Sequence, residues 1–217
     1  MSITQNLQEL RTQLPAGVGL VAVSKFKGHE AVAEAYAAGQ RDFGENYVQE
    51  LVEKQAQLPQ DINWHFIGHL QSNKVKYIAP FVHLIHSIDS AKLLKEVQKQ
   101  AKAQGRTISC LLQVHIAEED TKSGFSPDEL RAFVREFDAE AYSHVSILGL
   151  MGMGTFTDDL SQTRREFKGL HALYLEIKEI WPGLTTLSMG MSGDWPCAVE
   201  EGSTLVRVGS SIFGTRK

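Results

Sequence analysis

The chain has 217 residues, 42% of them hydrophobic and 22% charged, with a formal net charge of −4 at pH 7. That length holds one large single-core domain with little left for a second, and the composition is ordinary for a globular protein. A mildly acidic chain with scattered lysines lacks the basic footprint of a nucleic-acid or anionic-membrane binder, and no apolar run approaches the roughly 18 residues that cross a bilayer.

The N-terminal stretch Met1–Leu10 has no basic region, apolar core or cleavage signal, so export is not expected. Leu7, Leu10 and Leu14 mark a short amphipathic helix. Val18–Ser24 is the first buried-strand run, and it leads to Lys25. Ala31–Ala38 is helical in period and stops at Gly39, a C-terminal cap signal. Asp42–Gly44 reads as strand two, with a helix from about Asn46 to Ala56. Trp64–Gly68 is strand three, followed by a helix over Asn73–Ile78, and His83–Ile88 is strand four. Asp89 or Ser90 caps a helix to about Gln104, whose Lys92, Lys95, Lys99 and Lys102 read as a solvated face.

Ile108–His115 is strand five. Ser126-Pro127-Asp128-Glu129 combines a cap with proline at the first helical position and opens a helix to about Phe137. Val145–Leu150 is strand six, Ser161–Trp181 a long helix ended by Pro182-Gly183, and Thr186–Met189 strand seven. Asp194–Glu201 is a short helix and Thr204–Val208 strand eight. The two cysteines, Cys110 and Cys197, form no CxxC pair and fit a reducing compartment, so the expected location is cytoplasmic.

Strands that alternate with helices imply a parallel sheet. Eight such units in this length predict an α/β fold, a single (β/α)8 TIM-like barrel over residues 1–217 with an extra N-terminal helix. An open flavodoxin-like sheet is the second reading, but it normally needs fewer strands.

In a barrel the ligand lies at the C-terminal strand ends. Alternation places Val21, Val23 and Lys25 on one face, so a barrel interior there would point Lys25 into the mouth. Burial would favour the neutral amine, the form that attacks an aldehyde; a lysine merely leaving a strand into water is the plainer reading. Ser192-Gly193 after strand seven and Gly209-Ser210-Ser211 after strand eight occupy the usual barrel phosphate position, although Gly-Ser pairs are also common turns. An amine and an anion cradle at strand tips together suggest a covalently held aldehyde phosphate, which points to pyridoxal phosphate (PLP).

Arg207 shares a face with Leu205 and Gly209 and must meet a partner inside. That partner is either an internal acid or a cofactor ring nitrogen. His65 and His69, or His83 and His86, have tempting metal spacings but no HExxH or Cys/His quartet accompanies them, so core or loop hydrogen bonding is expected and no metal. Met151, Met153, Met189 and Met191 more often pack than react. Ser188 and Ser192 lack a nucleophile elbow, which argues against a serine hydrolase.

Val21-Ala22-Val23-Ser24-Lys25, Asp42-Phe43-Gly44-Glu45-Asn46-Tyr47-Val48-Gln49-Glu50 and Trp64-His65-Phe66-Ile67-Gly68-His69-Leu70-Gln71-Ser72-Asn73-Lys74 resemble the pyridoxal-phosphate homeostasis proteins. So do Gly149-Leu150-Met151, the stretch Leu187–Trp195 and the stretch Arg207–Gly214. That family is related to the N-terminal barrel of bacterial alanine racemases, and the match runs over essentially the whole chain. The resemblance implies PLP as an internal aldimine on Lys25, phosphate contacts from Ser192, Gly193, Gly209 and Ser210, and a ring-nitrogen contact from Arg207. Asn46, His69, Ser87 and Met191 would be nearby pocket residues.

Racemisation needs a base on each face of the substrate adduct, which alanine racemases supply partly from a second domain. The chain ends soon after Ser211, and Tyr36, Tyr47, Tyr77, Tyr142 and Tyr174 all fall in expected helices or their starts. The expectation is a non-catalytic carrier that buffers and transfers PLP and influences amino-acid and keto-acid balance, with no catalytic residues. A weak PLP-dependent racemase or other PLP enzyme is the alternative. PLP-dependent client enzymes are the partner class left open. A monomer is expected, because no large apolar stripe remains after the barrel is built.

Overall fold

The structure is a computed structural model that describes residues 2–118 and 123–214. Its elements follow the alternation of the sequence: α1 (Ile3–Gln13), β1 (Gly19–Val23), α2 (His29–Ala37), β2 (Asp42–Glu45), α3 (Val48–Gln57), β3 (Asn63–Phe66), α4 (Val75–Ile78) and β4 (Leu84–Ile88). They continue with α5 (Ala91–Ala103), β5 (Ile108–Val114), α6 (Pro127–Glu136), β6 (Val145–Gly152), α7 (Leu160–Ile180), β7 (Thr186–Ser188), α8 (Trp195–Glu200), β8 (Leu205–Val208) and α9 (Ser210–Phe213). All strand pairings are parallel, and β8 pairs with β1 to close the barrel.

Local chemistry sets the helix starts. Ser2 and Gln5 form a reciprocal capping box on α1, and Ser126 and Glu129 do the same on α6 behind Pro127. Ser90 rather than Asp89 caps α5, accepting from the Leu93 N–H. The expected helix over 73–78 begins as a 3₁₀ turn at Ser72–Lys74, and the one expected from Asn46 starts at Val48. Tyr142 lies in a turn, not a helix start, and stacks on Phe137 with centroids 5.0 Å apart. The short α9 follows β8 directly.

Residues of opposite parity sort to the two sides of the wall. Ala22, Phe43, Trp64, Ile85, Cys110, Leu112, Val206 and Val208 belong to the large core between the strands and helices. Leu84, Leu111 and Met151 pack inside the barrel with Leu148, Met153 and Leu205. Two one-residue bulges interrupt the parity, in β4 between Ile85 and Ile88 and in β6 opposite Cys110 and Leu111. Because Ile85 and Ile88 both face outward, His86 and Ser87 share the slack between them. At Gly149 the β6 backbone passes so close to β7 that a Cβ would stand 1.7 Å from Thr186 O, which only glycine allows. Among the described residues no helix is long and apolar enough to cross a membrane.

Candidate functional site

A cavity of about 570 Å³ opens at the C-terminal end of the barrel. Lys25, Asn46, Met191, Ser192, Gly193, Arg207, Gly209 and Ser210 all line it, together with Met153, Asp194 and the segment Thr155–Asp158 after β6. Eight sequence-selected residues spread over 186 positions thus meet on one wall because parallel strands deliver every C-terminal end to the same pole.

Lys25 sits in the turn just past β1, half-buried, with the flanking backbone clamped on both sides. Ser24 donates its hydroxyl to Glu45 Oε1 at 2.6 Å, and its carbonyl accepts from Lys54 Nζ at 2.7 Å. Phe26, the one non-glycine residue with positive φ (62°) among the described residues, donates its N–H to Glu50 Oε1 at 2.6 Å. Lys54 Nζ joins the two carboxylates at 2.7 Å each, so a nearly dry Glu45–Lys54–Glu50 triad braces the turn that carries Lys25. Burial pushes the Glu45 carboxyl up to about 6, against the opposing pull of Lys54. A left-handed phenylalanine is costly, and the triad supplies the contacts that hold it there. The sequence carries no signal for Lys54, whose partners depend on how α3 packs.

Asn46 lines the cavity wall, and its buried Oδ1 has no hydrogen-bond partner among the described residues. Gly68 permits this placement, since a Cβ there would stand 2.2 Å from Asn46 O. Ser192 and Gly209 are joined across the β7 and β8 ends by a Gly209 N–H to Ser192 Oγ bond of 3.1 Å. Asp194 accepts the Met191 N–H at 2.5 Å and so shapes the loop that presents Ser192 and Gly193. A Cβ at Gly193 would meet nothing within 4 Å, so that residue leaves open room in the cradle.

Arg207 is buried at the cavity floor, and its described hydrogen bonds go to neutral groups: Nη1 to Ser188 Oγ at 2.6 Å and Nη2 to Gly152 O at 3.1 Å. Burial lowers its pKa to about 10, so it remains a cation at neutral pH. An acidic side chain also acts on it, as the sequence reading weighed: the Asp194 charge raises the Arg207 pKa against burial.

Behind Arg207 a polar row crosses the barrel interior. Ser188 Oγ is 3.0 Å from His86 Nδ1, His86 Nε2 is 2.9 Å from His65 Nδ1, and His65 Nε2 is 3.0 Å from Asp42 Oδ1. A carboxylate only accepts, so neutral rings align every donor toward Asp42. Burial holds the His86 pKa well below its ordinary value, which keeps that ring neutral. Burial is the largest single influence on the Asp42 carboxylate and works against it, but the hydrogen bond and charge of His65, with Asn63 and His83, together outweigh it and lower the Asp42 pKa. The sequence spacings suggested His65 with His69 and His83 with His86; the structure groups His65, His83 and His86, because the barrel wall brings β3 and β4 together.

Two sequence-selected residues lie elsewhere. His69 is 62% exposed, faces Asp89 at 3.4 Å, and borders a separate depression with Tyr47, Gln71 and Lys74. Ser87 is buried in β4, its Oγ without a hydrogen-bond partner, and does not line the cavity. Strict alternation from the outward Ile85 already directs Ser87 away from the lumen, and the bulge changes the expected face of Ile88.

The whole chain, residues 1–217, matches the family model described as alanine racemase, N-terminal domain. A pyridoxal phosphate homeostasis protein of Pasteurella multocida is 37% identical over 233 residues, covering 100% of this chain and 98% of the relative. One from Pseudomonas aeruginosa is 42% identical over 93% of this chain and 86% of its own length. Among solved structures, PipY of Synechococcus elongatus without PLP superposes with a TM-score of 0.93 at 41% identity, over 98% of this chain and 100% of PipY. The same protein with PLP bound gives 0.89 over the same shares.

Proposed function

The chain belongs to the alanine racemase N-terminal domain family and, within it, to the pyridoxal phosphate homeostasis proteins, and from that premise we propose that it binds PLP in the cavity at the C-terminal mouth and serves as a carrier. The single observation that carries the reading is the convergence of Lys25, Arg207, Ser192, Gly193, Gly209 and Ser210 on one cavity. The donor set suits the group. PLP supplies a reactive aldehyde, a phosphate and a ring nitrogen. Lys25 is assigned the aldehyde carbon, Ser192, Gly193, Gly209 and Ser210 the phosphate, and Arg207 the ring nitrogen. The unpartnered Asn46 Oδ1 on the same wall is an acceptor available to a ring hydroxyl.

Arg207 shapes the chemistry as well as the fit. An arginine donates to a ring nitrogen without surrendering its proton, so the ring stays a poor electron sink. The ionisable groups among the described residues lining the cavity are Lys25, Asp158, Asp194 and Arg207, and with Lys25 assigned to the aldehyde the reading favours carriage over racemisation. His69 and Ser87 are assigned to the surroundings of the site rather than to contact. A cytoplasmic, monomeric protein handing PLP to client enzymes completes the reading.

The test is an absorbance titration of the purified protein with PLP. Wild type is expected to develop a visible band that Lys25→Ala lacks, while the variant retains some cofactor on dialysis. A protein that stays colourless with excess PLP overturns the proposal. Incubation of the loaded protein with amino acids in D₂O separates the second reading, because α-proton exchange at ordinary enzymatic rates would establish a racemase-like catalyst.

A further inference from the structure

The end of the barrel opposite the cavity gathers a second set of groups. Asp42 is the first residue of β2, His83 immediately precedes β4, and His65 reaches the same point from β3. One ligand atom from each lies within 4.8 Å of the other two. We propose that Asp42, His65 and His83 form a binding site for a borderline divalent cation, zinc being the representative, at the N-terminal pole of the barrel. The site is empty in this structure.

Two imidazoles and one carboxylate are the donor set of open three-ligand zinc sites, whose fourth position takes water. Ligand atoms about 2.0–2.2 Å from a tetrahedral ion stand roughly 3.3 Å from one another. The pair His65 Nε2 and Asp42 Oδ1, at 3.0 Å, already has nearly that spacing. His83 is exposed, with its ring centroid 5.3 Å from that of His65, and a rotamer change closes the remaining gap.

The surroundings supply what metal ligands need behind them. Asn63 Nδ2 holds Asp42 Oδ1 at 3.2 Å, and His86 Nε2 faces the far nitrogen of His65 at 2.9 Å. Arg106 is the opposing charge nearby, but its guanidinium is tied to the carbonyls of Ala79 and Val82. It weakens the site without occupying it.

Occupancy has a structural consequence. With the ion on His65 Nε2, the proton of that ring must sit on Nδ1 and be donated to His86 Nε2. The His86 proton then moves to Nδ1 and is donated to Ser188 Oγ. The proton count is unchanged: the His65–Asp42 hydrogen bond gives way to two contacts with the ion, and the His65–His86 and His86–Ser188 bonds reverse direction. Ser188 is the hydroxyl that receives Arg207, so the pole and the cavity are connected by hydrogen bonds alone.

The experiment is competition for zinc between tag-free protein, without cofactor, and a chromophoric chelator of micromolar affinity. Wild type is expected to withdraw one equivalent per chain. His83→Ala and Asp42→Asn should each weaken that binding at least tenfold, and both positions tolerate change because neither side chain is fully buried. His171→Ala, on the outer helix α7, should leave it unchanged. Failure of wild type to compete, or equal binding by wild type and both ligand variants, overturns the site.

Discussion

Replacing Lys54 by methionine tests the brace around Lys25 most directly. The lysine is 3% exposed, and its ammonium bonds Ser24 O, Glu45 Oε1 and Glu50 Oε1, each at 2.7 Å. Methionine fills much the same volume, so the loss is electrostatic. It strands the Glu45 carboxylate at 0% exposure with the Ser24 hydroxyl as its one remaining described donor. Breaking one partner out of a buried pair costs about 3–5 kcal/mol, which for a domain of this size is a fall in Tm of about 6–20 °C.

The cost must depend on pH, and its sign is fixed. In wild type the Glu45 carboxyl is raised from an ordinary 4.5 to about 6, so the folded state holds that proton more tightly than the unfolded chain. Stability from this group is fully present below 4.5 and is lost as pH rises through about 6, a decline of about 2 kcal/mol. Without Lys54 the two largest downward influences vanish and the folded pKa climbs further, so the decline continues into the neutral range. Urea unfolding of both proteins at pH 5.5 and pH 8, followed by circular dichroism, should show the larger deficit at pH 8. A deficit under about 1 kcal/mol at pH 8, or the same deficit at both pH values, would refute the account of the triad.

Two further outcomes follow from single contacts. Gly68→Ala drives a methyl to 2.2 Å from Asn46 O and should cost about 1–3 kcal/mol in urea unfolding while reducing cofactor retention, because Asn46 must move. Arg207→Met keeps the volume at the cavity floor but removes a charged donor; on the proposed function, PLP retention in equilibrium dialysis should fall about ten- to a hundredfold, with little loss of fold. An unchanged affinity would detach Arg207 from the ring nitrogen.

The barrel was readable in the sequence because each strand is short, apolar and bounded by a cap or glycine that acts locally. Ser126-Pro127 and Gly39 needed no tertiary information. The cavity was readable for a related reason: in a parallel barrel, standing at a strand's C-terminal end is enough to meet the others, so Lys25, Ser192 and Gly209 converge without any knowledge of packing. What the sequence hid depended on register or on a neighbouring helix. Ile88 is carried outward by a bulge that alternation does not forecast, Lys54 on α3 joins the site through helix packing, and the Ser188–His86–His65 row crosses between strands far apart in the chain.

The extra residue in β4 has a bearing on how this fold can be altered. Delete Ser87 and the strand regains strict parity: both isoleucines stay outward, now two positions apart, and the imidazole at 86 keeps the inward place between them. Delete position 86 instead and a serine hydroxyl stands there, too short to reach from Ser188 to His65. Which of the two residues is removed, more than how many remain, decides whether the two ends of the molecule stay in communication.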